Sequence, residues 1–280
     1  MKKMLIAAAL LFTFSIFADH FPFQPPSNFT LNPPYIALHH PTSTRNRDAQ
    51  LYFDQGFTFL YAFNHDAAYW SFLKASEADP DMAMAYWGMA LSLGTNINMP
   101  VTPERSKVAV DAIDKGLKLA EKGPENEKEY VQALSKRYSA DPQADQAKLN
   151  KAYSDAMRNL SDKYPDDLDA AVLFAESLLD LSPWNQWTPD GKPLEGTMEA
   201  VKKLESVLRF SPDHLGANHY FIHVVEASKN PEIALMSAER LSRALPSSGH
   251  ILHMSSHIYL LVGDYEKAAR QNEAAIAADR

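Results

Sequence analysis

The chain has 280 residues, enough for one large or two ordinary domains, and its 46% hydrophobic content suits a globular core. Acidic residues (35) outnumber basic ones (27), for a net charge of −8 and a pI near 5.7; with no basic stripe, nucleic acid is disfavoured as a partner. Cysteine is absent, which excludes disulfides, thiolate metal sites, cysteine nucleophiles and a lipid-bearing cysteine.

At the N-terminus, Lys2 and Lys3 precede an apolar run from Met4 to Phe17 that ends at the small residue Ala18. Charge, short apolar run and small residue together predict a signal peptide over residues 1–18. The run is shorter than the roughly 20 residues a spanning helix needs, so the expected product is exported, periplasmic or secreted, with no membrane span after cleavage. Residues 19–47 are proline-rich and lack a helical period, which predicts an extended arm. His39 and His40 lie in it, expected to be exposed unless the arm folds back onto the domain.

From Asp48 to Arg280 segments of helical length alternate with short breaks at "ADPD", "KGPEN", "YPDD", "FSPD", "KNPE" and "LPSSG". Proline and aspartate there stop one helix and cap the next, and no alternating strand pattern of useful length occurs. In "AFNHDAA", His65 and Asp66 are expected to cap the second helix. The breaks also have a period. Gly56 is followed by Ala68, Phe72, Ala75 and Pro80, and the spacing of the last four recurs at Ala200, Leu204, Val207 and Pro212; Ala268 lies 34 residues after Ala234. This skeleton resembles a tetratricopeptide repeat, and the resemblance implies an all-α solenoid of antiparallel helix pairs over residues 48–280. Small residues suit the points where paired helices cross.

Two stretches depart from the repeat, "GTNINMPVTP" after Ala90 and "SPWNQWTPDGKPLEG" after Asp180. Both fall at the turn between first and second helices, so both are expected on one edge, where insertions commonly build a binding surface. Trp184 and Trp187 in the second are expected to pin the loop to the solenoid, or to form a lid over a site. Trp87 is a groove-lining ring or, on the alternative reading, a buried packing residue. The methionines of "DMAMAYWGMA" have helical spacing and are read as core.

The histidines keep the period. His253 lies 34 residues after His219, and His257 lies 34 after His223. At about 100° per residue, His250, His253 and His257 share one face of a helix, as do His219, His223 and Glu226. Side chains four apart are neighbours, so each helix offers two imidazoles to one cation. One repeat upstream, Glu176 and Asp180 occupy the corresponding face. In tetratricopeptide proteins these positions line the concave groove, an orientation that rests on the resemblance alone. The expected metal ligands are therefore His219, His223, His250, His253, His257, Glu226 and Glu176, with Asp180, Asn218, Trp87, Trp184 and Trp187 lining the groove. His223 and His257 are expected to serve one shared cation. Nitrogen and oxygen ligands without sulfur suit Zn²⁺, Cu²⁺, Fe²⁺, Mn²⁺ or Ni²⁺.

Three readings stay open: a divalent transition-metal site, a polar groove that binds a peptide or protein partner without metal, and histidines bonded to one another for structure. A metal-dependent hydrolase or oxidase, with Glu226 or Glu176 as base, is the enzymatic variant. No phosphate loop, dinucleotide fingerprint, nucleophile elbow or H-E-x-x-H is present.

The set "YAFNHDAA", "AMAYWGMA", "PWNQWTPDGKP", "GANHYFIHVVEAS" and "HMSSHIY" is similar to a group of exported bacterial tetratricopeptide proteins. That resemblance spans nearly the whole chain after residue 18 and carries a fold rather than an activity. Members of the group run past the position of Arg280, so the end of the solenoid is expected to lack a capping helix and to self-associate.

Overall fold

A computed structural model describes residues 23–280 apart from Ile36 and Pro142. The expected signal peptide lies outside the described residues. Within them the arm is irregular, with a turn closed by Phe29 N–H on the Pro26 carbonyl and one 3-10 turn at Pro33–Tyr35.

Twelve α-helices follow among the described residues: α1 (Arg47–Tyr61), α2 (His65–Ala78), α3 (Ala83–Ser92), α4 (Pro103–Ala120), α5 (Glu125–Ser135), α6 (Gln146–Lys163), α7 (Leu168–Asp180), α8 (Thr197–Phe210), α9 (Leu215–Val225), α10 (Leu235–Ala244), α11 (Gly249–Leu261) and α12 (Tyr265–Ala278). Each packs against the next in sequence, and first helices also meet across neighbouring pairs, as α7 meets α9 and α9 meets α11. The architecture is all-α and compatible with a solenoid of helical hairpins. Both insertions fall between the two helices of a pair, α3–α4 and α7–α8, and each holds one isolated β-bridge, Asn96 with Met99 and Trp187 with Pro193. None of the described helices is long and apolar enough to cross a membrane.

Capping explains where the helices begin. Asn46, Asn64, Thr102, Asp145, Asp167, Ser248 and Asp264 each accept a backbone N–H of the first turn with a side-chain oxygen. For α2 this corrects the expectation for His65: the cap is Asn64, and His65 is the first helical residue. Asn64 precedes the first helical φ/ψ pair and has the short side chain a cap requires.

Close helix contact depends on small residues. Gly56 on α1 and Gly88 on α3 both face the ring of Phe72 on α2; a methyl at Gly56 would stand 2.9 Å from that ring, and one at Gly88 would overlap it more deeply. Phe72 is fully buried and rests on Phe53, so the ring has no room to retreat. Gly88→Ala is therefore expected to destabilise the fold by about 1–2 kcal/mol in urea, overpacking outweighing the roughly 1 kcal/mol gain in helix propensity. A neutral or stabilising effect would show that Phe72 repacks freely.

The row of hairpins curls back on itself. Helix α1 meets α9, and Tyr35 in the arm donates to the Ser247 carbonyl at 3.0 Å. The arm and the end of α1 thus cover the histidine face, which the repeat pattern led us to expect as an open groove. His219 is fully buried and His223 nearly so. Apolar side chains explain the closure: Tyr61 and Phe63 at the end of α1 pack against Tyr220 and the histidine rings.

Candidate metal centre

Helices α9 and α11 carry five histidines, and the structure sorts them into two sets. In the first, Nε2 of His219 stands 3.1 Å from Nε2 of His223 and 3.1 Å from Nε2 of His250. The three ligand atoms all lie within 4.8 Å of one another. Imidazoles bound to one tetrahedral ion at about 2.0–2.1 Å stand about 3.3 Å apart, close to what is found here.

Outer hydrogen bonds aim these nitrogens. Nδ1 of His219 lies 2.6 Å from the Tyr61 carbonyl, which only accepts, so Nδ1 carries the proton and Nε2 is a bare lone pair. Nδ1 of His223 donates to Glu226 Oε1 at 3.2 Å. With both protons on Nδ1, the Nε2 lone pairs of His219 and His223 face each other, an arrangement that a shared cation satisfies. Such a backbone or carboxylate partner on the far ring nitrogen is the usual support of a metal-bound histidine. Around the rings sit Phe63, against all three, and Trp184, edge-on to His223 at 5.6 Å.

Electrostatics keep the triad uncharged. Burial and the neighbouring His223 and His250 rings push His219 well below the ordinary imidazole range. Burial, with the His223, His253 and His257 rings nearby, lowers His250 to about 3. Burial lowers His223 too, although Glu226 opposes the shift. Neutral imidazole is the ligating form.

The second set is separate. Nε2 of His257 faces Nε2 of His253 at 3.0 Å, and His257 Nδ1 donates to Glu226 Oε2 at 2.5 Å. The seven expected ligands therefore do not form one cluster, and His223 and His257 do not converge on one point. Glu226 instead holds one histidine from each set, one on each oxygen. Those two bonds hold its carboxyl at about 2 despite the opposing effect of burial, and they occupy it as an orienting group rather than a base.

Glu176 joins neither set, a correction to its expected role. It is buried beside Asp180 and Arg137, where Arg137 Nη2 meets Asp180 Oδ2 at 2.5 Å. The unforeseen Arg137 from α5–α6 draws both carboxyls inward. Asn218 serves the start of α9, donating to the carbonyls of Pro212 and His214. Trp87 is core, packed on Phe53, Phe57 and Tyr130. Trp187 pins the insertion, its Nε1 donating to the Val224 carbonyl at 2.6 Å. Trp184 is the ring beside the triad, held at φ 60° and half-exposed.

A second group, His40, Asp167 and Asp169, also brings three ligand atoms within 4.8 Å. Its bonds are already used. Asp169 accepts from His40 Nδ1 at 2.7 Å, Tyr61 OH at 2.8 Å and His214 Nε2 at 3.2 Å, while Asp167 caps α7 and accepts from Tyr130 OH. Burial opposes a charge on His40, but Asp169 prevails and holds it above the ordinary imidazole range. This network clamps the arm to α7 and α9. Sequence reasoning expected His40 in the exposed arm and missed His214; the only signal for His214 was its place in the break before α9, where its Nδ1 caps Ala217. His39 does stay largely exposed, bonded to Asp54.

Beside the triad lies a cleft of about 920 Å³, lined among others by Phe63, His65, Arg105, His250, His253 and Asn272. His65 accepts from Asn96 Nδ2 at 3.0 Å and stands outside both histidine sets. No protein-family model matches the chain, and no curated protein matches its sequence.

Proposed function

We propose that this chain is an exported protein of the tetratricopeptide type whose function is to hold a divalent transition-metal ion on His219, His223 and His250. The observation that carries the reading is the meeting of three imidazoles, with Nε2 of His219 at 3.1 Å from Nε2 of both His223 and His250, and outer acceptors that hold the protons of His219 and His223 on Nδ1. A neutral, sulfur-free nitrogen set suits Zn²⁺ or Cu²⁺ best among the first-row ions. His250 belongs both to the triad and to the cleft wall, so an ion on the triad has a side open to a small molecule or to a segment of a partner chain.

The signal-like residues 1–18 support export, and the 34-residue period supports the tetratricopeptide assignment. Elemental analysis of the full chain, purified without a histidine tag, exposed to Zn²⁺ and dialysed against metal-free buffer, tests the metal. At least one retained equivalent per chain is expected. None retained would leave the cleft as a metal-free binding groove for a peptide or protein.

A further inference from the structure

The outer pair His253 and His257 repeats the signature of the buried triad. Nε2 of each faces the other at 3.0 Å. Both outer nitrogens are spoken for: His257 Nδ1 by Glu226 Oε2 at 2.5 Å, and His253 Nδ1 by Asn272 Oδ1 on α12 at 2.7 Å. Ser256 Oγ also donates to Asn272 Oδ1 at 3.1 Å, which keeps that atom an acceptor. Two lone pairs are left pointing at each other, a repulsive arrangement that a shared cation relieves.

Surroundings distinguish this pair from the triad. His253 is exposed and His257 half-buried, whereas His219 and His223 are buried. His253 and Asn272 stand on the wall of the same cleft as His250. Glu226 is the shared support, one oxygen for His223 and the other for His257.

We infer that His253 and His257 form a second, exchangeable divalent-metal site beside the triad, so that the chain takes two ions with Glu226 orienting one histidine of each site. The inference rests on the metal reading of the triad. With two protein nitrogens and the remaining positions open to water or a cleft ligand, the outer ion is held on the order of ten-fold or more weakly than the inner one. His253 of the outer pair and His250 of the triad both stand on the wall of that cleft.

The test is Zn²⁺ calorimetry and Cu²⁺ electron paramagnetic resonance on the full-length, untagged protein. The expected result is two equivalents, one tight and one weak, with two overlapping Cu²⁺ spectra of different nitrogen number. The double variant His253→Ala, His257→Ala removes only the weak equivalent; neither ring is fully buried, so the fold is retained. His219→Ala removes only the tight one. Asn272→Ala, which touches neither Nε2, weakens only the outer ion. A single equivalent in the parent, unchanged in the His253→Ala, His257→Ala variant, overturns the second site and leaves the triad standing. No equivalent at all overturns both.

Discussion

His219→Ala is expected to lower the affinity for the inner ion by at least about 100-fold. Losing an orienting partner alone costs about 10–100-fold, and here a ligand itself is lost. The effect is legible in melting. A metal concentration that gives the parent about 2.7 kcal/mol of stabilisation, on the order of 100 times its dissociation constant, gives the variant about 0.4 kcal/mol. His65→Ala, which removes a ring bonded to Asn96, leaves the metal-induced shift unchanged. Equal shifts in parent and His219→Ala would sink the triad.

The same variant reports on pH without any metal. The folded-state values of His219, His223 and His250 all lie below that of a free imidazole, His250 at about 3. The unfolded chain therefore binds more protons than the folded one below about pH 6.5. Stability from these groups is fully present above that pH and is lost as pH falls toward the folded values. His40 works with the opposite sign: Asp169 raises it, so its contribution is present below the unfolded value and lost as pH rises through the folded one. Subtracting the variant's curve from the parent's leaves the contribution of His219 and its coupling to the other two rings, and the difference is expected to shrink on acidification from pH 7 to 4.

Arg137→Met is expected to cost about 3–5 kcal/mol, the usual penalty for removing one partner of a buried ion pair. Arg137 is fully buried, donates to Asp180 and to the Thr95 carbonyl, and stacks on Tyr153 at 4.1 Å. Without it, Glu176 and Asp180 face each other inside the protein with no cation. Burial already raises both carboxyls, and Glu176 raises Asp180 further. Both therefore take up protons readily once the arginine is gone. The cost is expected to be greatest near pH 8 and smaller at pH 5, read from urea unfolding at each pH. A pH-independent loss below about 1 kcal/mol would show that the arginine contributes packing rather than charge.

Helical class, hairpin breaks and the histidine faces were all legible in the sequence, because each depends on neighbours within one helix. His219 with His223, and His253 with His257, face each other as residues four apart do on any α-helix. The 34-residue spacing marks which positions are equivalent, but equivalence is not contact. Across α9 and α11 the hydrogen-bonded pairs are His219 with His250 and Glu226 with His257, each 31 residues apart, while the equivalent rings of His223 and His257 stand 6.5 Å apart between centroids. Three residues of difference is about 4.5 Å of rise, nearly one helical turn. That stagger is set by how side chains interlock between helices, which no periodicity records. It separates His223 from His257 and makes one expected site into two sets. The closure of the arm and α1 over the histidine face is likewise tertiary: Tyr61 supplies its carbonyl to His219 from 158 residues away. The sequence by itself determined helices, period and which side chains share a face. Only the packing of distant segments decided which of those faces meet, because the energy of that choice lies in contacts between residues far apart in the chain.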